Sequence, residues 1–268
     1  MTGPTTSAAL AAPSTAPMTG ARVLGAYLSE WRHEALRVLR TPAFALPFLA
    51  LPPPIFLFFG VVLAGDAVAA KPALAGYLFS GWLVFAATMP SLFGVGCALA
   101  LERQAGLLRL KRALPVPAGA VVIAKMGAAA AIAALAMALV VATAAVTGTL
   151  PLPAGQVAAM LAVLVAGTLP MSAVGLFIGT HVSGSAAPAI SNVVFLPMIW
   201  LSGLFIPLPA FLEPWVVVWP AFHLNQLALA AAGVTQFRFV PPTLALAALA
   251  GITVLFGGLA VRRLAERG

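Results

Sequence analysis

Apolar runs long enough to cross a bilayer recur from one end of this chain to the other, and that feature restricts the fold more than any other. A spanning helix needs about 20 mainly apolar residues. Hydrophobic residues make up 62% of the chain and charged residues 7%, against about 25% charged in soluble domains. The chain therefore reads as an all-α polytopic membrane protein, and a soluble core is excluded. Six transmembrane helices are expected, at about 43–63, 74–99, 118–146, 157–178, 187–205 and 242–261.

Charge sets the orientation. Of the 14 Lys and Arg, all but Lys71 and Arg238 fall in three clusters beside expected spans. Basic flanks face the cytoplasm, so the arm before span 1, the loop after span 2 and the C-terminal tail are placed inside. The net charge of +8 is thus an orientation signal and implies no nucleic acid. Residues 1–21, rich in Ala, Thr, Ser and Pro, read as a disordered cytoplasmic tail, with Met18 an alternative start. Residues 264–268 read as a short cytoplasmic tail. Both termini inside requires an even number of crossings. Pro207–Gly233 is apolar but carries four prolines, Glu213, His223 and Asn225, so it is expected to enter from the outer side and return. Trp215 and Trp219 suit the outer aromatic belt.

Two amphipathic segments stand out. In Arg22–Arg40, Leu24, Tyr27, Leu28, Trp31, Ala35, Val38 and Leu39 share one face, and Arg22, His33, Glu34, Arg37 and Arg40 occupy the rest. Such a helix lies in the interface plane, with Trp31 anchored in the lipid and Arg37 and Arg40 toward headgroups. In Leu101–Pro117, read as one helix, Leu107, Leu110 and Leu114 form a stripe at i, i+3 and i+7. Glu102, Arg109 and Arg112 lie opposite, and Pro115 ends the helix. It is either a solvated loop helix or one shaped to press on a partner. Lys125, in the first turns of span 3, is expected to snorkel to the interface. The prolines at 52–54 should turn their freed carbonyls toward protein or a water-filled cavity.

The chemistry is mostly exclusion. Ser183 and His223 suggest a protease only weakly, because His181 stands where a nucleophile motif needs glycine and the two residues fall on opposite sides of the membrane. No His, Cys, Asp and Glu have metal-ligand spacing. No acid lies deep in a span to carry a coupling proton. Nucleotide hydrolysis needs a Gly-Lys-Ser/Thr run, and the three lysines precede Pro72, Arg112 and Met126. If ATP drives transport, another chain binds it.

Three features in this order resemble one family. They are the amphipathic arm, the run Glu102-Arg103-Gln104-Ala105-Gly106-Leu107 leading to Leu114-Pro115-Val116-Pro117, and Leu201-Ser202-Gly203-Leu204-Phe205-Ile206-Pro207-Leu208 followed by Pro214-Trp215 and Pro220. From about Arg22 to Arg263 the chain resembles an ATP-binding-cassette exporter permease of the type 2 class. The resemblance implies a transmembrane domain over 22–263 in the inner (plasma) membrane. It implies pairing with a second permease chain, identical or related, and with two copies of an ABC ATPase that bind ATP and Mg. Leu101–Pro115 would be the coupling helix. Its stripe Leu107, Leu110 and Leu114 would pack toward the membrane, Glu102 and Arg109 would face the ATPase, and Gly106 would allow close approach. Gly203, Pro207, Pro214, Trp215 and Pro220 would belong to an outer gate. With no charged residue lining the spans, a hydrophobic, lipid-like or lipid-linked substrate is expected. A stand-alone passive carrier or pore is the alternative.

Overall fold

The computed structural model describes residues 19–65, 68, 70–112, 119–207 and 209–267. Most of the expected N-terminal tail lies outside them, as do Leu114 and Pro115 of the loop helix. The described residues are helical, with no strand. Helix α1 is Gly20–Leu39, α2 Pro42–Leu49 and α3 Pro52–Ile55, which continues as a π-helical stretch, Phe56–Leu63. Helix α4 is Pro72–Met89. A π-helical turn, Pro90–Gly94, joins it to α5, Val95–Gln104, and α6 is Leu107–Arg112. Helix α7 is Ala120–Val146, α8 Ala154–Ala166, α9 Thr168–His181 and α10 Ala187–Leu201. A short 3-10 turn leads to α11, Glu213–Val216, then α12, Pro220–Ala231, and α13, Pro242–Arg267.

Among the described residues five helices are long and apolar enough to cross a membrane: Pro42–Leu63, Pro72–Gln104, Ala120–Val146, Ala154–His181 and Pro242–Glu266. The expected fifth span, 187–205, is instead the 15-residue helix α10. The Pro72–Gln104 helix is the hub, 83% buried over its most apolar window, whereas the first and last of the five are 17% buried and form the edges. Prolines set the irregularities. Pro90 has no N–H and its ring would meet the carbonyl four residues back; the wider π turn accommodates it without ending the helix. After the break at 50–51, Pro52 is buried, Pro53 half-buried and Pro54 exposed. The fourth span bends at Gly167, where the Leu224 side chain of α12 presses in.

Between helices in lipid, close van der Waals contact drives association and small residues permit it. Here α9 meets the π turn and α5 at glycines. A Cβ on Gly175 would lie 2.5 Å from the Leu92 carbonyl oxygen, and one on Gly179 2.5 Å from that of Gly96.

The bundle has two distinct ends. At one, Val95, Leu99, Leu108, Ala129, Leu176 and Ala260 form a buried cluster with Val121, Val122, Met126 and Leu264 against it. This brings the C-terminal part of α13 to the end that also holds α6 and the start of α7. At the other, Tyr77 packs on Phe237 with ring centroids 4.7 Å apart and planes tilted by 41°, and a Cβ on Gly76 would touch Val234 and Leu152. Helix α12 is the deeply buried part of the expected re-entrant segment. Asn225 accepts a 2.6 Å hydrogen bond from Ser80 Oγ, and Gln226 bonds the Phe237 carbonyl and the Phe239 N–H.

Candidate functional site

Helix α5 does not stop at the expected boundary near residue 99. It runs through Gln104 and ends where the Ala105 N–H bonds the Leu101 carbonyl at 2.9 Å and the Gly106 N–H bonds that of Arg103 at 3.1 Å. Gly106 has φ +72°, a left-handed conformation that glycine adopts without the Cβ penalty. The single loop helix read from the sequence is therefore two helices with a turn between them.

That turn changes the phase of the leucines. Leu108 points into the cluster with Val95 and Leu176, while Leu107 and Leu110 are 43% and 67% exposed. Glu102, expected to face the ATPase, sits at the end of the hub helix and is 6% exposed. Lys125 does not snorkel: it is 2% exposed, held by acids on both sides. The side chain of Arg109 lies outside the described residues.

Lys125 Nζ of α7 lies 2.6 Å from Glu34 Oε1 of α1 and 2.7 Å from Glu102 Oε1 of α5. Arg37 Nη2 completes the cluster, 2.5 Å from Glu34 Oε1 and 3.4 Å from Glu102 Oε1. Two carboxylates and two cations cancel, which makes burial tolerable, since an isolated buried charge is very costly. Burial pushes the Glu34 carboxyl up, but Lys125 and Arg37 outweigh it and hold it below the usual carboxylate range. Burial acts to lower the Arg37 guanidinium, and Glu34 more than offsets it. Glu102 Oε2 is buried with no hydrogen-bond partner among the described residues. A cleft walled by Phe48, Pro90, Gly94 and Ile132 opens beside Glu34 and Lys125.

The arm thus has two working faces. Leu24, Leu28, Trp31 and Leu39 are exposed, as a lipid-facing stripe should be, although the Trp31 ring also lies over Gly127 of α7. Arg40 is exposed. The opposite face carries Glu34 into the protein. Sequence periodicity grouped Glu34 with the solvated residues because a buried acid and a wetted one occupy the same face of the wheel. Only the distant Lys125 and Glu102 distinguish them.

The residues of the expected outer gate are dispersed along one connection. The Gly203 carbonyl accepts a hydrogen bond from the Tyr77 hydroxyl. Pro207 is half-buried, Pro214 exposed, Trp215 73% exposed, and Pro220 opens α12. Ser183 and His223 are not brought together. Ser183 Oγ meets Ser185 Oγ at 3.2 Å, and His223 Nε2 lies 2.7 Å from the Val217 carbonyl. Among the described residues no three His, Cys, Asp or Glu are placed to hold a metal ion.

The family model described as ABC-2 type transporter matches residues 26–239, which takes in the arm from its second turn, the charge cluster and the segment through α12. No curated protein matches the chain.

Proposed function

The chain belongs to the ABC-2 type transporter family, and from that premise we propose that it is the permease subunit of an ATP-driven exporter. Membrane embedding and the role of transporter permease come with the family and the apolar helices. The remaining details are our reading. A separate ABC ATPase, in two copies, binds ATP and Mg and docks at the end of the bundle that holds α6. A second permease chain, identical or related, completes the pathway. The chain sits in the inner (plasma) membrane, with both termini cytoplasmic and α10 serving as a sixth crossing.

The observation that carries this reading is the charge cluster. It ties the turn before α6 to the arm and to the start of α7, so a push on α6 acts on a braced assembly. A loop helix with no such anchorage would absorb the push. Leu107 and Leu110 then supply the apolar contact to the ATPase, and Glu102 braces from behind. Gly203, Pro207, Pro214, Trp215 and Pro220 lie along the connection that would open outward. A hydrophobic, lipid-like or lipid-linked substrate is favoured because, among the described residues, the cation buried within a span, Lys125, is neutralised by its neighbours.

The test is gentle purification of the tagged protein from its own membranes, with stoichiometric partners identified by mass spectrometry. Recovery of an ATPase with a Gly-Lys-Ser/Thr motif is the expected result, and Leu110→Asp should abolish it while leaving the permease intact. Intact oligomeric protein with no ATPase would favour the passive carrier.

A further inference from the structure

Glu102, Arg103 and Gln104 are consecutive, and each grips a different part of the molecule. Glu102 holds α7 and the arm. Arg103, from the same turn, reaches the end of α9. Its Nη1 donates to the Thr180 carbonyl at 2.6 Å and its Nη2 to the Val182 carbonyl. Gln104 Oε1 accepts from the Gly184 N–H at 2.7 Å. The last carbonyls of a helix have no intrahelical partner, and a planar guanidinium suits two of them at once. From Gly184 only three residues lead to Ala187, the first residue of α10. At about 3.3–3.6 Å per residue, that link has little slack. It is stiffened further by the Ala187 N–H bonding the Ser183 carbonyl at 3.0 Å and the Ala186 N–H bonding Ser183 Oγ at 3.3 Å.

We propose that Arg103 and Gln104 are positioning residues that transmit displacement of the α5–α6 turn to the start of α10, so that α10 moves when α6 is pushed. The inference rests on the ATP-driven reading above. The two side chains touch neither ATP nor substrate; they act by holding the 180–184 backbone to the hub helix. Had Arg103 only capped α9, no bond from the neighbouring Gln104 to the next loop residue would be needed, yet both side chains converge on one five-residue segment.

The experiment uses the intact permease–ATPase complex in nanodiscs, with buried Cys97 replaced by serine and a bimane fluorophore at one of two exposed positions. These are Ala105→Cys in the α5–α6 turn and Val193→Cys on α10. Emission is compared without nucleotide and with ATP plus vanadate. In the parent both positions shift. In Arg103→Ala/Gln104→Ala, the shift at position 105 is kept and that at position 193 falls to less than half. Should the double variant fail to assemble, Gln104→Ala alone is scored in the same way. A full shift at position 193 in the variant overturns the proposal. So does loss of the shift at position 105, which would make the pair part of the ATPase dock. Absence of any shift at position 105 in the parent instead overturns the ATP-driven reading.

Discussion

Lys125 stands on a helix of 27 residues and is 2% exposed, and its two acid neighbours come from segments far apart in the sequence. Removing this cation leaves Glu34 and Glu102 with only the partly exposed Arg37 to balance them. Breaking a buried pair by removing one partner costs about 3–5 kcal/mol. Lys125→Met should therefore lower the thermal unfolding midpoint in detergent sharply, and adding Glu34→Gln and Glu102→Gln should recover most of the loss. A single variant as stable as the parent would refute the cluster. Glu102→Lys would set a second ammonium against Lys125, so that change perturbs stability before it perturbs any partner contact. The pH dependence follows from Glu34. Its folded pKa is lowered, so its pairing contributes stability above the ordinary carboxylate pKa of about 4.3, and that stability is lost as pH falls through the lowered value. Melting curves from pH 7 downward should show an acid limb that Glu34→Gln weakens. Each of the three residues was visible in the sequence, but as a separate loop or edge charge. What paired them was tertiary contact, which local periodicity does not encode.

At the scale of elements, the sequence located the irregularities better than it described them. Pro90 marked a disturbance in the hub helix, but whether the ring kinks the helix or is taken up by a π turn depends on the packing around it. The run from Leu101 to Arg112 looked like one amphipathic helix because its pattern is helical throughout. The positive φ at Gly106 divides it and exchanges the roles of Leu107 and Leu108. Helix contacts made by glycine are equally hidden, since nothing local distinguishes Gly175 from Gly258. The structure separates them: a Cβ at Gly175 runs into the Leu92 backbone, while one at Gly258 meets nothing within 4 Å. Gly175→Val should force α9 and α5 apart. Overpacking a tight contact costs about 1–3 kcal/mol, and backbone on the receiving side puts this case at the upper end. Gly258→Val should melt with the parent. Equal melting of the two variants would mean that the α5–α9 contact does not hold the bundle together.

For the whole molecule the number of crossings turns on α10. At 1.5 Å per residue, α10 with 15 residues rises about 22 Å, short of the roughly 30 Å hydrocarbon layer. Helix α12, with 12 residues, rises about 18 Å. If α10 crosses with the irregular 202–207 segment completing its path, the chain crosses six times and both ends are cytoplasmic. If it does not, five crossings leave the ends on opposite sides. The packing favours six, because the cluster around Leu108, Leu176 and Ala260 gathers the end of α13 beside α6, and Lys125, on the same side of α7, is bonded to the N-terminal arm. The basic residues Arg262, Arg263 and Arg267 then follow the positive-inside bias. Topology reporters fused before Gly20 and after Gly268 should both read cytoplasmic, and cysteines placed at Trp215 and Arg238 should react with a membrane-impermeant reagent added to intact cells. A C-terminal reporter that reads outside would reduce the count to five. It would also put α13 antiparallel to the direction its contacts with Leu108 and Leu176 require, so the same result would contradict the packing of α6 on which the coupling argument depends.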